Sequence, residues 1–134
     1  MLGSGTHNAW RGYAFEQVCL AHIPQIRQAL GIAGVLTSCS AWSSSNSDEN
    51  GSQVDLVLGR ADNVINLCEM KCCNQEYVVE KKEDLALRNK LGFFMRETRT
   101  RKAAHLTLVT TCGLKQSAYS SVFQSAVCMD DLFR

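Results

Sequence analysis

One proline, Pro24, is all that the 134 residues contain, and no apolar run approaches the ~18 residues that a bilayer span requires. The start of the chain, Met1 to His7, lacks the cationic opening and apolar core of a secretory signal, which points to a cytoplasmic protein. Net charge is nearly absent as well: 14 Lys and Arg against 13 Asp and Glu leave +1, so the overall balance gives no argument for nucleic acid. Cysteine is plentiful at seven, but the number is odd and no export signal accompanies it, so a disulfide framework is not expected. Cys68, Cys72 and Cys73 form no C-x2-C pair and have no matching His spacing. A zinc or thiol protein is therefore the third-ranked reading, and small apolar reduced thiols are the plainer one.

What the chain does have suits one soluble α/β domain. The length allows one hydrophobic core, and 46% hydrophobic with 20% charged residues is ordinary globular composition. Eight of the fourteen Lys and Arg fall between Lys81 and Lys102, interleaved with Glu83, Asp84 and Glu97. That stretch reads equally well as a surface that tracks a phosphate backbone or as a solvated helix face.

Apolar positions Tyr13, Phe15, Val18, Cys19, Ile23, Ile26 and Leu30 recur at helical steps, predicting a helix over 11–30 that Gly31 closes and Pro24 kinks or splits. A β-prone run follows within Ala33 to Trp42, then a turn-rich polar segment, Ser43 to Gly51, that reads as an exposed loop. Two further β runs, Gln53 to Leu58 and Val64 to Lys71, predict a hairpin. A second helix is expected over 79–98 and a fourth strand over 105–111. A short helix or turn over 115–121 and a last strand over 126–129 complete the reading. The order α, β, β, β, α, β makes a mixed sheet flanked by helices.

Strand parity then singles out a group of charges. On the third strand Ile65, Leu67, Glu69 and Lys71 share a face, and on the second Gln53, Asp55 and Val57 do. If Arg60 pairs with Val64 across a three-residue loop, Asp55 falls opposite Glu69. Two carboxylates so placed repel each other, and a hard divalent cation, Mg2+ or Mn2+, would offset that. Lys71 would orient or activate water, or stabilise charge on phosphoryl oxygens. The plain alternative is that all three are outward-facing charges on a half-solvated hairpin. Against it, the strand carrying Glu69 and Lys71 precedes a covering helix, where unpartnered charge is costly.

Asp55, thirteen intervening residues and Glu69-Met-Lys71 resemble the D-x(n)-E-x-K signature of the PD-(D/E)XK nuclease superfamily. Trp10 to Glu16, Gln53 to Val57, Ile65 to Lys71 and the terminal Asp130 to Phe133 are similar to the C-terminal nuclease-like domain of certain prokaryotic AAA+ ATPases. Val54 stands where the superfamily name has proline, and Cys72-Cys73 is an unusual sequel to the motif. The resemblance implies a restriction-endonuclease-like αβββαβ core over residues 10–134 behind an N-terminal extension, 1–9. It implies metal-dependent cleavage of nucleic-acid phosphodiesters, DNA first. Asp55 and Glu69 would be metal ligands, Lys71 catalytic, Glu16 an auxiliary catalytic or ligand group, and Gln53 site support. It also implies an ATPase as partner or as a missing domain, and leaves a homodimer open. The main alternative is a noncatalytic module of the same fold that binds DNA or a protein.

Overall fold

The computed structural model describes residues 4–43 and 53–133. Helix α1 spans Ser4–Ala21 and α2 spans Ile23–Ala29, so the predicted helix is divided just before Pro24, which occupies the first turn of α2, where its missing N–H is not needed. α1 begins earlier than the periodicity suggested and runs through residues assigned above to an extension. Gly31, at φ 75°, ends α2: its N–H reaches the Gln28 carbonyl at 3.0 Å and the Ile32 N–H reaches that of Arg27 at 2.9 Å. This double closure needs a left-handed residue, which glycine adopts without strain.

Strands β1 (Thr37–Ser43), β2 (Gln53–Arg60) and β3 (Val64–Lys71) form an antiparallel meander. Of the expected Ser43 to Gly51 loop, all beyond Ser43 lies outside the described residues. Helix α3 (Lys81–Thr98) crosses from β3 to β4 (Ala103–Thr110), which pairs parallel to β3, and β5 (Ser125–Cys128) adds parallel to β4. A 3-10 turn, Ser120–Val122, lies between β4 and β5, and a short α4, Met129–Leu132, follows. The protein is thus a mixed α/β fold whose five-stranded sheet runs β1-β2-β3-β4-β5.

The sheet separates two apolar clusters. Val57, Ile65, Leu67, Leu106 and Leu108 meet Leu87 and Phe94 of α3 on one face. Leu56, Leu58, Cys68, Val109 and Val127 meet Phe15 and Cys19 of α1, Ile26 of α2 and Leu132 of α4 on the other. Alternating inward residues on both sides are what a sheet covered twice demands. Of the cysteines, Cys19 and Cys68 pack as small buried hydrophobes, whereas Cys39 and Cys112 are exposed.

The hairpin between β2 and β3 has the expected register: Leu56 faces Cys68, Val57 faces Leu67, Leu58 faces Asn66 and Gly59 faces Ile65. Its three-residue turn, Ala61 to Asn63, closes through Asn63 at φ 67°, a conformation that Asn tolerates better than most side chains. No described helix is long and apolar enough to cross a membrane.

Candidate active site

The open end of the hairpin departs from simple alternation. Ser40 pairs with Val57 but Trp42 pairs with Val54, so one β1 residue, Ala41, stands against both Asp55 and Leu56. That is a β-bulge in β2. It explains why Val54 and Val57, of opposite parity, both belong to the α3-side cluster with Trp42, whose ring meets Phe94 edge-on at 5.2 Å. The last β2–β3 pair is Leu56 with Cys68, one step short of Asp55 and Glu69. Asp55 therefore lies at the bulge, beyond the ladder, and bulges of this kind re-aim side chains.

Asp55 accepts a hydrogen bond from Gln53 Nε2 at 2.7 Å and meets Glu16, which α1 brings from the other side of the sheet. Burial raises the Glu16 pKa above its ordinary value, and the charge of Asp55 and a hydrogen bond with it raise it further. Lys71 opposes that rise and Glu69 adds to it, so Glu16 feels the charge of each of the other three. A cavity of about 480 Å³ is lined there by Glu16, Lys71, Cys72, Arg11 and Asn74 among others. Arg11 Nη2 donates to Asn74 Oδ1 at 2.7 Å across its rim.

Glu69 is engaged differently. Its Oε2 accepts from Lys90 Nζ of α3 at 3.0 Å, with side-chain exposures of 11% for Glu69 and 24% for Lys90, so the pair is largely removed from water. Lys71 is exposed and borders both this pair and the larger cavity. The structure thus brings Glu16, Asp55 and Gln53 together and sets Lys71 at the cavity that Glu16 lines, but it turns Glu69 toward Lys90 on the α3 face, so the expected placement of Asp55 directly opposite Glu69 gives way to the bulge. Among the described residues no group of three or more His, Cys, Asp or Glu side chains is arranged to hold a metal ion.

The bulge, Arg11 and Lys90 were not assigned from sequence. Lys90 had a signal: it interrupts the stripe of Leu87, Leu91 and Phe94 that α3 turns to the sheet, where a leucine would be ordinary. The bulge had none, because it depends on pairing between distant strands. The thiols contribute little ionic chemistry. Burial, then the charge of Glu16, pushes Cys19 up to about 12, and burial pushes Cys68 higher still.

No protein-family model and no curated protein matches this chain. Among solved structures it is similar to a crystal structure of a protein of unknown function, AF1548, with a TM-score of 0.53 and 14% identity. The match covers 82% of this chain and 56% of that one, so the chain spans little more than half the length of the similar protein. At that identity the likeness is one of fold.

Proposed function

We propose that this domain belongs to the PD-(D/E)XK nucleases and hydrolyses nucleic-acid phosphodiesters, DNA first, with a Mg2+ or Mn2+ ion held by Asp55 and Glu69. The observation that carries the reading is that Glu16 meets Asp55 and shares an open cavity with Lys71, whose strand also carries Glu69. Those residues come from α1, β2 and β3, and their spacing is that of the resembling signature.

The donor chemistry fits a hard cation. Glu16 and Asp55 are oxygen donors in mutual contact, and the Glu16 pKa is raised partly by that contact, a repulsion that a divalent ion would relieve. Counting Arg11, Lys71 and Lys90 against Glu16, Asp55, Glu69 and Glu83, the surroundings carry a net −1. A divalent ion would make them positive, as an anionic phosphodiester substrate requires. When bound, the ion would supply Lewis acidity toward a phosphate oxygen. Lys71, exposed at the cavity edge, is available to stabilise charge on the phosphoryl oxygens. Glu16, whose proton is held more firmly than an ordinary carboxyl's, suits positioning a water and exchanging a proton with it. Gln53 fixes one Asp55 oxygen. The reading places the protein in the cytoplasm, with an ATPase as companion or further domain and a homodimer as one possible assembly.

The noncatalytic alternative, a nuclease-fold module that binds DNA or a protein, is favoured by one specific feature: Glu69 already has a cationic partner in Lys90. An assay on linear, nicked and single-stranded DNA and on RNA, with Mg2+, Mn2+ or chelator, separates the two. Cleavage that appears with metal and stops in chelator is the expected result. Metal-independent affinity for DNA without cleavage would transfer the conclusion to the binding module.

A further inference from the structure

Strands β3 and β4 stay together beyond the end of their ladder. Lys71 pairs with Thr110, and the same register, carried two residues further, sets Cys73 alongside Cys112. The segments are joined at that point: Thr111 Oγ1 accepts the Cys73 N–H at 2.7 Å and donates to the Cys73 carbonyl at 2.6 Å. Further on, the Tyr77 N–H reaches the Gly113 carbonyl at 2.8 Å and Tyr77 bridges Leu114. Adjacent strands run about 4.8 Å apart, within the ~4.4–6.8 Å between Cα atoms that a disulfide spans. Each thiol is turned toward the other's segment. Thr110 Oγ1 donates to Cys73 Sγ at 3.8 Å, and the Cys112 thiol donates to the Cys73 carbonyl at 3.5 Å. Both cysteines are reduced in the structure, Cys112 exposed and Cys73 half-buried, so Cys112 is no filler of a core. The pair also adjoins the large cavity. Cys72 and Asn74, on either side of Cys73 in the chain, line it, and Asn74 accepts the hydrogen bond from Arg11.

We propose that Cys73 and Cys112 are a redox pair that closes reversibly to a disulfide, tying the cavity-lining segment 72–74 to the end of β4. The oxidant is a small-molecule disulfide of the glutathione class. The exposed Cys112 gives its proton to solvent, and its thiolate attacks one sulfur of that disulfide. The small S–S bond breaks, one half leaves as a thiolate, and Cys112 carries the other half. Cys73, deprotonated in turn, attacks the Cys112 sulfur, forms the protein S–S bond and expels the second half. Two protein thiols are thereby oxidised, the small disulfide is reduced to two thiols, and the two protons end on those thiols. Closure gives up the weak contact of the Cys112 thiol with the Cys73 carbonyl, which Thr111 continues to hold. Cys72 is left out, because the register sets Thr111 and not a cysteine beside it. In a reducing compartment such a bond is transient and reports the redox state, unlike the structural disulfides of secreted domains. The inference is independent of the metal-site reading.

The test equilibrates the full chain with glutathione and glutathione disulfide at graded ratios, traps free thiols by alkylation, and maps the digest by mass spectrometry, with fragmentation to tell Cys72 from Cys73. The expected product is one peptide joining Cys73 to Cys112, lighter by two hydrogens than the reduced pair, reopened by dithiothreitol, with Cys72 alkylated. In denaturing urea the two segments are no longer held side by side, so the equilibrium constant for closure should be about 10-fold or more lower than in the folded protein. Cys72→Ser should keep the linked peptide, and Cys73→Ser or Cys112→Ser should abolish it. Should a variant fail to fold, the wild-type map and its comparison with urea decide by themselves. Amide hydrogen exchange across 72–77 should slow on oxidation. Pairing of Cys112 with Cys72 or Cys39, arrest of Cys112 at the mixed disulfide, or equal closure in folded and denatured protein overturns the proposal. Unchanged exchange across 72–77 in the oxidised protein overturns the tie to the cavity wall.

Discussion

The two ends of the β2–β3 hairpin treat charge in opposite ways. At the turn, Arg60 bonds both oxygens of Asp62, at 2.9 and 2.6 Å, and reaches Asn66 Oδ1 at 3.2 Å. The hydrogen bond from Arg60 holds the Asp62 carboxyl below its usual range. Lys102 Nζ caps the Arg60 carbonyl at 2.8 Å. Buried Asn66 passes the network on, donating to Thr107 Oγ1 at 3.0 Å, which meets Ser125 Oγ at 2.9 Å. Opposite signs are paired and neutral polar groups are linked across three strands. At the open end Asp55 of β2 meets Glu16 of α1, like against like, beside the Glu69–Lys90 ion pair, and burial makes the ionisation of Glu16 harder. A fold that satisfies its polar groups so fully at one end has no structural need for repulsion at the other. The contrast supports the proposal that the open end binds a ligand.

The sharpest way to break the comparison is to remove charge at each end and ask what is lost. Asp55→Asn and Glu69→Gln keep shape but delete an anionic oxygen, so Mn2+ affinity and turnover should fall together. Lys71→Met should leave the ion bound, or bound more tightly, while slowing single-turnover cleavage by about a hundredfold. Asp62→Asn at the turn should leave both quantities alone. Calorimetry beside single-turnover kinetics on the four variants gives the answer. Wild-type cleavage by Lys71→Met, or equal losses from Asp62→Asn, would erase the distinction between the ends.

A second, smaller effect should run the other way. Thr107→Val removes the hydroxyl that joins Asn66 to Ser125 inside the sheet, where Thr107 is 0% and Asn66 2% exposed. Leaving a buried donor unpaired costs roughly 1–3 kcal/mol. Urea unfolding should show that loss with an unchanged slope, while Mn2+ affinity stays at the wild-type value. A Thr107→Val protein of normal stability would mean that water substitutes for the hydroxyl and that the turn end is less tightly arranged than its distances suggest.

How much of this was legible in the sequence follows from how local each cause is. Helical spacing, Gly31 and Pro24 act within a few residues, so the helices and their division could be read. The hairpin register depends on a three-residue turn ending in Asn63, again local, and the shared face of Glu69 and Lys71 depends only on alternation along β3. The bulge opposite Ala41 depends on β1 meeting β2 across a long connection, and no pattern within β2 announces it. Parity placed Asp55 on the Val57 face. The bulge instead leaves it where Glu16 of α1 reaches it. Lys90 comes to Glu69 only through the packing of α3 on the sheet, so spacing flagged it as misplaced without naming its partner. The early start of α1 was missed because residues 4–9, Ser-Gly-Thr-His-Asn-Ala, carry no apolar period.

The smallest expected effect tests the repulsion itself. The Glu16 pKa is raised in the folded protein above its ordinary 4.5, so in that window the folded state holds a proton that the unfolded chain has released. Stability must then fall as pH rises from about that ordinary value through the folded one, and stay at the lower level above it. Glu16→Gln removes the titration. The variant should therefore match wild type in acid and exceed it near neutral pH, by roughly 1 kcal/mol or less, the scale of a like-charged pair at a partly exposed site. Urea unfolding across that pH range measures the difference. Mn2+ added at neutral pH should narrow it by stabilising wild type more than the variant, because a cation bound near Asp55 relieves the same repulsion in the native state. An advantage that persists in acid would locate the benefit in packing or helix propensity. One that ignores Mn2+ would separate the Glu16–Asp55 contact from the metal site.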